Sequence, residues 1–519
     1  MHPCLAIPEI LELVISVGLA RDHTITIRRD IWDAKTVDGA LAALARTCKH
    51  FHEFAQNELW KEQYGILNLI RCMPEDLWAF KYGSLTRVRE VRPTDWDRVS
   101  KNAARVKSLT IKDSEYPKLR TKVYETVGNS PGGWFLPNLQ HLCWDDYSAN
   151  LTCINLFLGP RLTSIEFEEI RDDRCFTTLE TLAQTHPQLE SVTVKGVTTR
   201  AKDEDRMRLR NFIRQLPHLH NLKVHYIDPD TLLRLGAPES GLYGLTTSPH
   251  TFGDLVGHTD TYGTRFPELR RLYIESGKNQ DAEKAEMEPV LHFLRVCNSP
   301  PLRFMCFYFM RKWSWDQLYE FYSLLARRRT TRNTLETLFI SLLGERSQKC
   351  TPHPNDVFHP LLHCNNLVNI YIGVPAGYDL DDEAVGNMSS AWPYLQTLSL
   401  ESDSDYEPKC TLMALHHIAR NCQQLYELVL AFNASDVPDI PVSLEGLPQC
   451  TLKNLDVGAS PILDGSIERV ADFIGFSFSR ITRISTAVRG GYMNVRPERW
   501  LWKMVEVELL GLRASETEQ

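Results

Sequence analysis

The sequence predicts an α/β solenoid, parallel strands on one side and helices on the other, behind a small all-α module at the N-terminus. A triplet of apolar residues, spaced as leucine, two variable positions, leucine, one variable position, leucine, returns from residue 106 almost to the C-terminus. Roughly thirteen copies can be placed, mostly about 23 to 33 residues apart, the period of a leucine-rich repeat with one strand and one helix per unit. Residues 1–65 do not carry the triplet and show helical periodicity instead.

The triplet has a physical reason. Its last two positions lie two residues apart and so point to one face of a strand, while the first marks the turn into it. Three buried side chains cannot offset the entropy of ordering a whole unit, so each copy must stack on its neighbours.

In the N-terminal module, Ile7, Ile10, Leu11, Val14 and Ile15 fall on one helical face that Pro8 can begin and Gly18 can end. After a polar connection through Arg28, Arg29 and Asp30, a second helix carries Leu41, Leu44, Ala45 and Cys48. A third carries Phe51, Phe54, Ala55 and Leu59 and ends at Trp60, with Thr47 as the cap between them. Residues 66–103 contain Leu69, Met73, Leu77, Trp78, Phe80 and Trp96; this is too apolar for a flexible linker and is expected to cap the first repeat and make a stiff joint.

The repeats of the solenoid, residues 104–496, start at Val106, Leu139, Leu162, Leu189, Leu219, Leu269, Leu302, Leu335, Leu367, Leu395, Leu425, Leu452 and Ile481. Many are announced by a Pro, Cys or Asn one to three residues earlier, where proline stops the preceding helix. Helical patterns lie between the strands, at 208–216, 287–297, 315–327, 412–422 and 467–476. The interval between Leu219 and Leu269 is too long, and its excess, 228–265, is a protruding loop or a degenerate repeat. Residues 497–519 are expected to supply a terminal helix through Trp500, Trp502, Val505 and Leu509, with a disordered tail from Ser515.

Composition narrows the function. A solenoid accommodates 519 residues without a larger core, because each unit touches only its neighbours. Lys and Arg number 58 against 66 Asp and Glu, a formal charge of -8, which gives no general attraction to phosphate backbones or anionic lipid, so neither nucleic acid nor membrane is expected as a partner. Thirteen cysteines without a paired framework suit free thiols in a reducing compartment. Leu5 to Ala20 contains Glu9, Glu12 and Pro8 with no basic region before it, unlike a secretion signal, so cytoplasm or nucleus is expected.

The N-terminal module resembles an F-box in Ile7-Pro8-Glu9-Ile10-Leu11, in Leu44-Ala45-Arg46-Thr47-Cys48-Lys49-His50-Phe51 and in Leu59-Trp60. An F-box followed by leucine-rich repeats is a family architecture, and the chain is similar to it over nearly its whole length. The resemblance implies a substrate receptor of a Skp-cullin-F-box ubiquitin ligase. Its F-box helices would dock on the Skp-type adaptor, and through it a cullin, while the repeats hold the protein to be ubiquitinated. Carried over by position, the adaptor-facing residues are Ile7, Pro8, Ile10, Leu11, Leu44, Cys48, Phe51 and Trp60. Two features depart from the pattern: Ala20 to Gly39 is longer than in a compact F-box, and position 7 is Ile where Leu is usual.

Alternation places the variable positions around the second apolar residue on the face away from the helices. Early repeats put Ser164, Glu166, Ser191, Thr193, Asn221 and Lys223 there. The middle repeats put Arg271, Tyr273, Phe304, Cys306, Tyr308, Phe339, Asn369 and Tyr371 on adjacent strands. Exposed Tyr, Phe and Arg clusters are the composition of binding hot spots, which makes Arg271, Tyr273, Phe304, Tyr308, Phe339 and Tyr371 the candidate target-binding residues. The bland alternative is that aromatics suit strands anyway, or that the 228–265 segment or the tail covers them. Later positions (Thr397, Ser399, Glu427, Asn454, Asp456) are smaller and more acidic, which suits a basic segment of a target.

No phosphate-binding glycine loop, dinucleotide fingerprint or nucleophile elbow is present, so no enzyme and no cofactor are expected. His359, His363 and Cys364, and His416, His417 and Cys422, lack the paired spacing of a zinc signature, and no metal is expected. The acidic run Asp379 to Glu383 reads as a solvated helix start. Arg327, Arg328, Arg329 and Arg332 read as charges at a helix C-terminus before a polar turn.

Overall fold

The computed structural model describes residues 31–112, 118–145, 149–170, 173–198, 201–253, 266–276, 287–296, 300–309, 313–342, 352–401, 406–439, 450–486 and 498–517. They form two compact units that divide after Leu219. Each is a leucine-rich-repeat fold in which parallel strands alternate with helices.

Unit one begins with helices α1 (Ile31–Leu44) and α2 (Lys49–Lys61). Leu41 is buried, and Leu44, Phe51, Phe54 and Leu59 pack against it. Part of the long connection expected before Gly39 is therefore helical, from Ile31 onwards. Thr47 does not cap α2: its hydroxyl donates to the Leu44 carbonyl at the end of α1 (2.7 Å), and Cys48 takes the N-cap position in extended backbone without a side-chain cap bond. The first predicted helix, with Ile7, Pro8, Ile10 and Leu11, lies outside the described residues.

The strands of this unit are β1 (Glu62–Tyr64), β2 (Trp78–Lys81), β3 (Ser84–Arg87), β4 (Ser108–Lys112), β5 (Lys118–Leu119), β6 (His141–Asp145), β7 (Ser164–Phe167) and β8 (Ser191–Val194). β1, β4, β6, β7 and β8 pair in that order, all parallel. The module therefore does not run to residue 65, because the chain leaves α2 directly into the first strand of the sheet. Gln63 fills the buried slot that leucine takes elsewhere, its amide donating to the carbonyls of Leu59 (3.2 Å) and Glu62 (2.9 Å). Arg105 adds a second tie, pairing with Glu53 and donating to Asn57 Oδ1 (2.9 Å) on α2, and it holds the Glu53 carboxyl below its ordinary range. The connector is ordered as an antiparallel β2–β3 hairpin with β5 beside β3. Leu69, Met73, Leu77 and Trp96 are buried, Trp96 lying edge-on to Phe135 at 6.4 Å, whereas Trp78 is half-buried and Phe80 exposed.

In unit two, β9 (Asn221–Val224), β10 (Gly244–Thr247), β11 (Arg271–Glu275), β12 (Phe304–Phe309) and β13 (Thr337–Leu342) pair in parallel. A two-residue strand β14 (His353–Pro354) pairs apart from them with β16 (Tyr378–Asp379). The main sheet continues from β13 through β15 (Asn369–Gly373), β17 (Thr397–Glu401), β18 (Glu427–Val429), β19 (Asn454–Asp456) and β20 (Arg483–Ser485). Each predicted repeat carries a strand that begins two residues after its first apolar position.

The interval 228–265 holds a degenerate repeat. Leu242 and Leu245 are buried in the first two slots, and the third is Thr247, whose hydroxyl bonds Thr251 (2.7 Å). Gly244 begins its strand because a Cβ there would stand 2.5 Å from Asn221 Oδ1.

Helices cover the other face at 203–214, 287–296, 315–327, 412–421 and 467–477. Leu318, Phe321, Tyr322 and Leu325 are buried from the 315–327 helix, which opens with a Ser314–Gln317 capping box. A short helix, Arg329–Thr334, follows it where a polar turn was expected among the arginines.

Residues announcing the repeats also bond backwards. Asn366 Nδ2 donates to Asn333 O (2.6 Å), Thr334 to Leu302 O (2.8 Å) and the Cys450 thiol to Cys422 O (3.1 Å), which also accepts from the Leu425 N–H, so turn carbonyls are tied to the next repeat. The acidic run 379–383 does start a helix, with Glu383 exposed, but its three aspartates are tied in by hydrogen bonds and an ion pair. Asp381 caps the 382–391 helix at Ala384 N (2.8 Å), Asp382 accepts from Thr411 N and Oγ1 (2.7 and 2.8 Å), and Asp379 pairs with Lys409 (2.6 Å).

The C-terminal helix spans Glu498–Thr517, so residues 515–517 extend it and are no disordered tail. It closes the last strand: Glu506 Oε1 accepts from the Ile484 backbone N–H (3.1 Å), and buried Trp502 donates to Ser460 O (2.9 Å) and meets Phe432 edge-on. Trp502→Ala is expected to remove about 3–5 kcal/mol from the C-terminal repeats, read by hydrogen exchange at Leu455 and Ile484. Unchanged protection there would show that the helix does not hold that end closed.

Candidate interaction surface

In unit two the apolar ladder Leu222, Leu245, Leu272, Met305, Leu338, Ile370, Leu398, Leu428, Leu455 and Ile484 is buried against the helices. Period-two alternation then sends the flanking residues to the opposite face. Register sorts them into rows across the strands. One row runs Asn221, Gly244, Arg271, Phe304, Thr337, Asn369, Thr397, Glu427, Asn454, Arg483. The next runs Lys223, Thr246, Tyr273, Cys306, Phe339, Tyr371, Ser399, Val429, Asp456, Ser485. A shorter third row holds Glu275, Tyr308, Ser341, Gly373 and Glu401.

The six candidate residues are brought together in these rows. Tyr273 stacks on Phe304 with centroids 4.8 Å apart; Tyr308 lies 4.9 Å from Phe339, and Phe339 5.6 Å from Tyr371. Arg271 is at the margin with its guanidinium 5.5 Å from the ring centre of Tyr243, an aromatic not expected from the sequence because it lies inside the degenerate repeat, whose triplet ends in Thr247.

Exposure corrects the picture of a uniformly open strip. Phe339 is 4% exposed and Cys306 equally buried, so both form a floor, and Tyr308 at 36% is the exposed ring above them. Tyr273, Phe304 and Tyr371 are half-buried. Burial pushes the Tyr273 and Tyr371 hydroxyls above their ordinary range, and burial with the Glu275 charge pushes the Cys306 thiol up to about 12. These groups are uncharged near neutrality, so the strip presents aromatic surface with neutral hydroxyls. Beside it Ser341 and Gly373 carry little side chain between Tyr308 and Glu401, which leaves a step down in the third row.

Beyond Tyr371 the face becomes polar and acidic through Thr397, Ser399, Glu401, Glu427 and Asp456. Ser485 donates to Asp456 Oδ2 (2.9 Å) and Gly458 N–H to Oδ1 (2.9 Å). Of the 228–265 segment, expected as a possible cover for the strip, residues 254–265 lie outside the described residues.

No protein-family model matches the chain, and no curated protein matches it. Among solved structures it is similar to a chain of the TLR13–ssRNA13 complex, with a TM-score of 0.35 and 11% identity, covering 74% of this chain and 50% of that one. The chain thus spans half the length of that relative. It is also similar to a chain of the Rad7 and Elc1 complex in yeast, with a TM-score of 0.37 and 16% identity over 94% of this chain and 91% of that one. A protein from Bacteroides fragilis matches with a TM-score of 0.29 and 13% identity, over 54% and 70%.

In unit one the open face carries Ser164, Glu166, Ser191 and Thr193 in register, with His141 Nδ1 2.7 Å from Ser164 Oγ. Cys143, Glu166 and Glu168 bring one ligand atom each within 4.8 Å of one another, a grouping absent from the sequence reading because Cys143 comes from β6 while Glu166 and Glu168 lie in β7 and just after it. Lys195 supplies the positive charge there, with Nζ 2.5 Å from Glu168 and 4.0 Å from Glu166. Burial and the two carboxylates push the Cys143 thiol up to about 12. Cys364 and Cys422, considered beside their histidines, are fully buried thiols likewise pushed up to about 12, and Cys422 bonds the carbonyls of Ser389 and Trp392 (both 3.6 Å).

Of the adaptor-facing candidates, Leu44, Cys48, Phe51 and Trp60 are each half-buried, and Trp60 Nε1 donates to Gln56 Oε1 (2.8 Å). Leu44 and Phe51 pack on Leu41 while keeping part of their surface open.

Phe339→Ala is expected to cost about 3–5 kcal/mol of unfolding free energy. Tyr308→Ala, which removes an exposed ring and one aromatic pair, should cost only about 1 kcal/mol. Urea unfolding compares the two, and equal losses would mean that Tyr308 belongs to the core.

Proposed function

We propose that this protein is a substrate-recognition adaptor of an E3 ubiquitin ligase, in which the N-terminal helices dock a Skp-type adaptor, and through it a cullin, while the open face of unit two holds a target protein. The observation that carries the target-binding half is the ordered aromatic strip Tyr273, Phe304, Tyr308, Phe339 and Tyr371 with Arg271 at its margin. Side chains that stack in register enter a complex with little rotational entropy left to lose, and Tyr and Arg are the residues in which binding energy concentrates.

The adaptor half is supported by the order of three F-box-like motifs and by the two helices, α1 and α2, that carry the second and third of them. Leu44, Cys48, Phe51 and Trp60 all keep partly open surface, as docking residues must. The protein itself supplies no chemistry in this reading. Ubiquitin transfer takes place on other subunits, and this chain contributes proximity. Among the described residues no helix is long and apolar enough to cross a membrane. A second reading, a protein-interaction scaffold whose N-terminal helices only close the first repeat, is favoured by the direct passage of α2 into β1.

Pro8→Glu with Leu11→Glu is expected to abolish co-purification with a Skp-type adaptor, and undiminished association would remove these positions from the docking surface. Tyr273→Ala with Tyr308→Ala should release bound target proteins in affinity capture while leaving adaptor association intact. Equal target recovery would refute the role of the strip.

A further inference from the structure

The C-terminal helix, Glu498–Thr517, carries two apolar stripes, although one is enough to close the repeats. Trp502, Val505 and Leu509 form the inner stripe and are fully buried. A step of two residues is about 200° round a helix, so the opposite side holds Trp500, Met504, Val507 and Gly511, at i, i+4, i+7 and i+11. Trp500 is 67% exposed and Val507 62%, and Met504 and Leu510 are exposed beside them. Gly511 is exposed as well, and nothing stands within 4 Å of where its Cβ would be. This outer spacing is that of a coiled-coil seam, with Trp500 and Val507 at d and Met504 and Gly511 at a. Lys503 and Glu508, both exposed, then flank the seam on its two sides, at g and at the e five residues on.

We propose that the outer stripe is where two copies of this chain meet, their C-terminal helices side by side and parallel. Charge names the second copy as the occupant. In a parallel pair the g residue of one helix faces the e residue five places on in the other, so Lys503 meets Glu508 of the second copy, and two-fold symmetry makes the contact twice. Antiparallel pairing sets g beside g and e beside e and leaves the two charges unmatched. Lys503 also pairs with Glu506 on its own helix, and an ammonium with three donors can hold both carboxylates. Size sets the strength. An exposed apolar patch of this kind covers roughly 300–600 Å², less than the about 800 Å² per partner of a standard interface. The dimer is therefore reversible and forms in the micromolar range. The proposal does not depend on the roles given to the aromatic strip or to the N-terminal helices.

The test is sedimentation equilibrium of the full chain from about 1 to about 200 µM, where a monomer–dimer equilibrium is expected. Trp500→Ser should weaken it by about tenfold or more, while hydrogen-exchange protection at Leu455 and Ile484 stays at the wild-type level because the indole is on the outer side. Lys503→Glu and Glu508→Lys should each weaken self-association severalfold by setting like charges against each other. Mixing these two variants in equal amounts should restore pairing as a heterodimer, a result that a folding defect in either variant does not produce. A chain that stays monomeric at every concentration overturns the proposal, and does so equally where the stripe captures a different protein instead. A dimer indifferent to Trp500→Ser, or unchanged by the charge reversals, or not restored by mixing, overturns it as well.

Discussion

Parallel pairing without slippage is the constraint on which both units depend. Leu272, Met305, Leu338 and Ile370 stand opposite one another because each strand buries the same position of its triplet. The side-chain period of a strand is two, so fixing the buried position also fixes what faces away from the helices. Tyr273, Cys306, Phe339 and Tyr371 line up as a row for the same reason that the leucines line up as a core. A slip of one residue in any repeat would break both together.

Backbone pairing is not the only link between repeats. Side chains at the turns reach back one unit to carbonyls that lack a strand partner, and chemically different residues do the same work: an amide at Asn366, a hydroxyl at Thr334, a thiol at Cys450. On the helix side, Asp382 receives Thr411 at the start of the next helix. The ends need other solutions because a terminal strand has one unpaired edge. At the C-terminal end Glu506 reaches the Ile484 amide, and Trp502 covers the last layer. At the start of unit one, β1 is the direct continuation of α2, and Arg105 pins that helix to the turn before β4.

Local pattern was a good guide wherever the buried slots are apolar. The thirteen recognised triplets each became a strand, because leucine two and three places apart has no other way to leave water in so short a segment. It failed at Gln63 and Thr247, where a polar residue occupies a buried slot and is satisfied by hydrogen bonds that no linear pattern displays. Thr47 misled in a related way, since a hydroxyl between two helices can serve either end and chose the carbonyl behind it. For the strip, membership was legible and exposure was not: Phe339 and Tyr308 look equivalent in the sequence, yet one is floor and the other rim.

By itself the sequence determined the repeat, the position of thirteen of the twenty strands, the helices at 49–61 and 498–517 and the identity of the residues that share the open face, because all of these follow from the spacing of apolar side chains along one chain. Only the tertiary structure decided how far each of the described residues is exposed, that Tyr243 joins Arg271, that Lys195 pairs with Glu168 beside Cys143, and that Asp456 receives the Ser485 hydroxyl. The physical reason is the same in each case. Burial and charge pairing are set by atoms about thirty residues away in sequence and one strand spacing away in space, a separation that periodicity within a repeat does not encode.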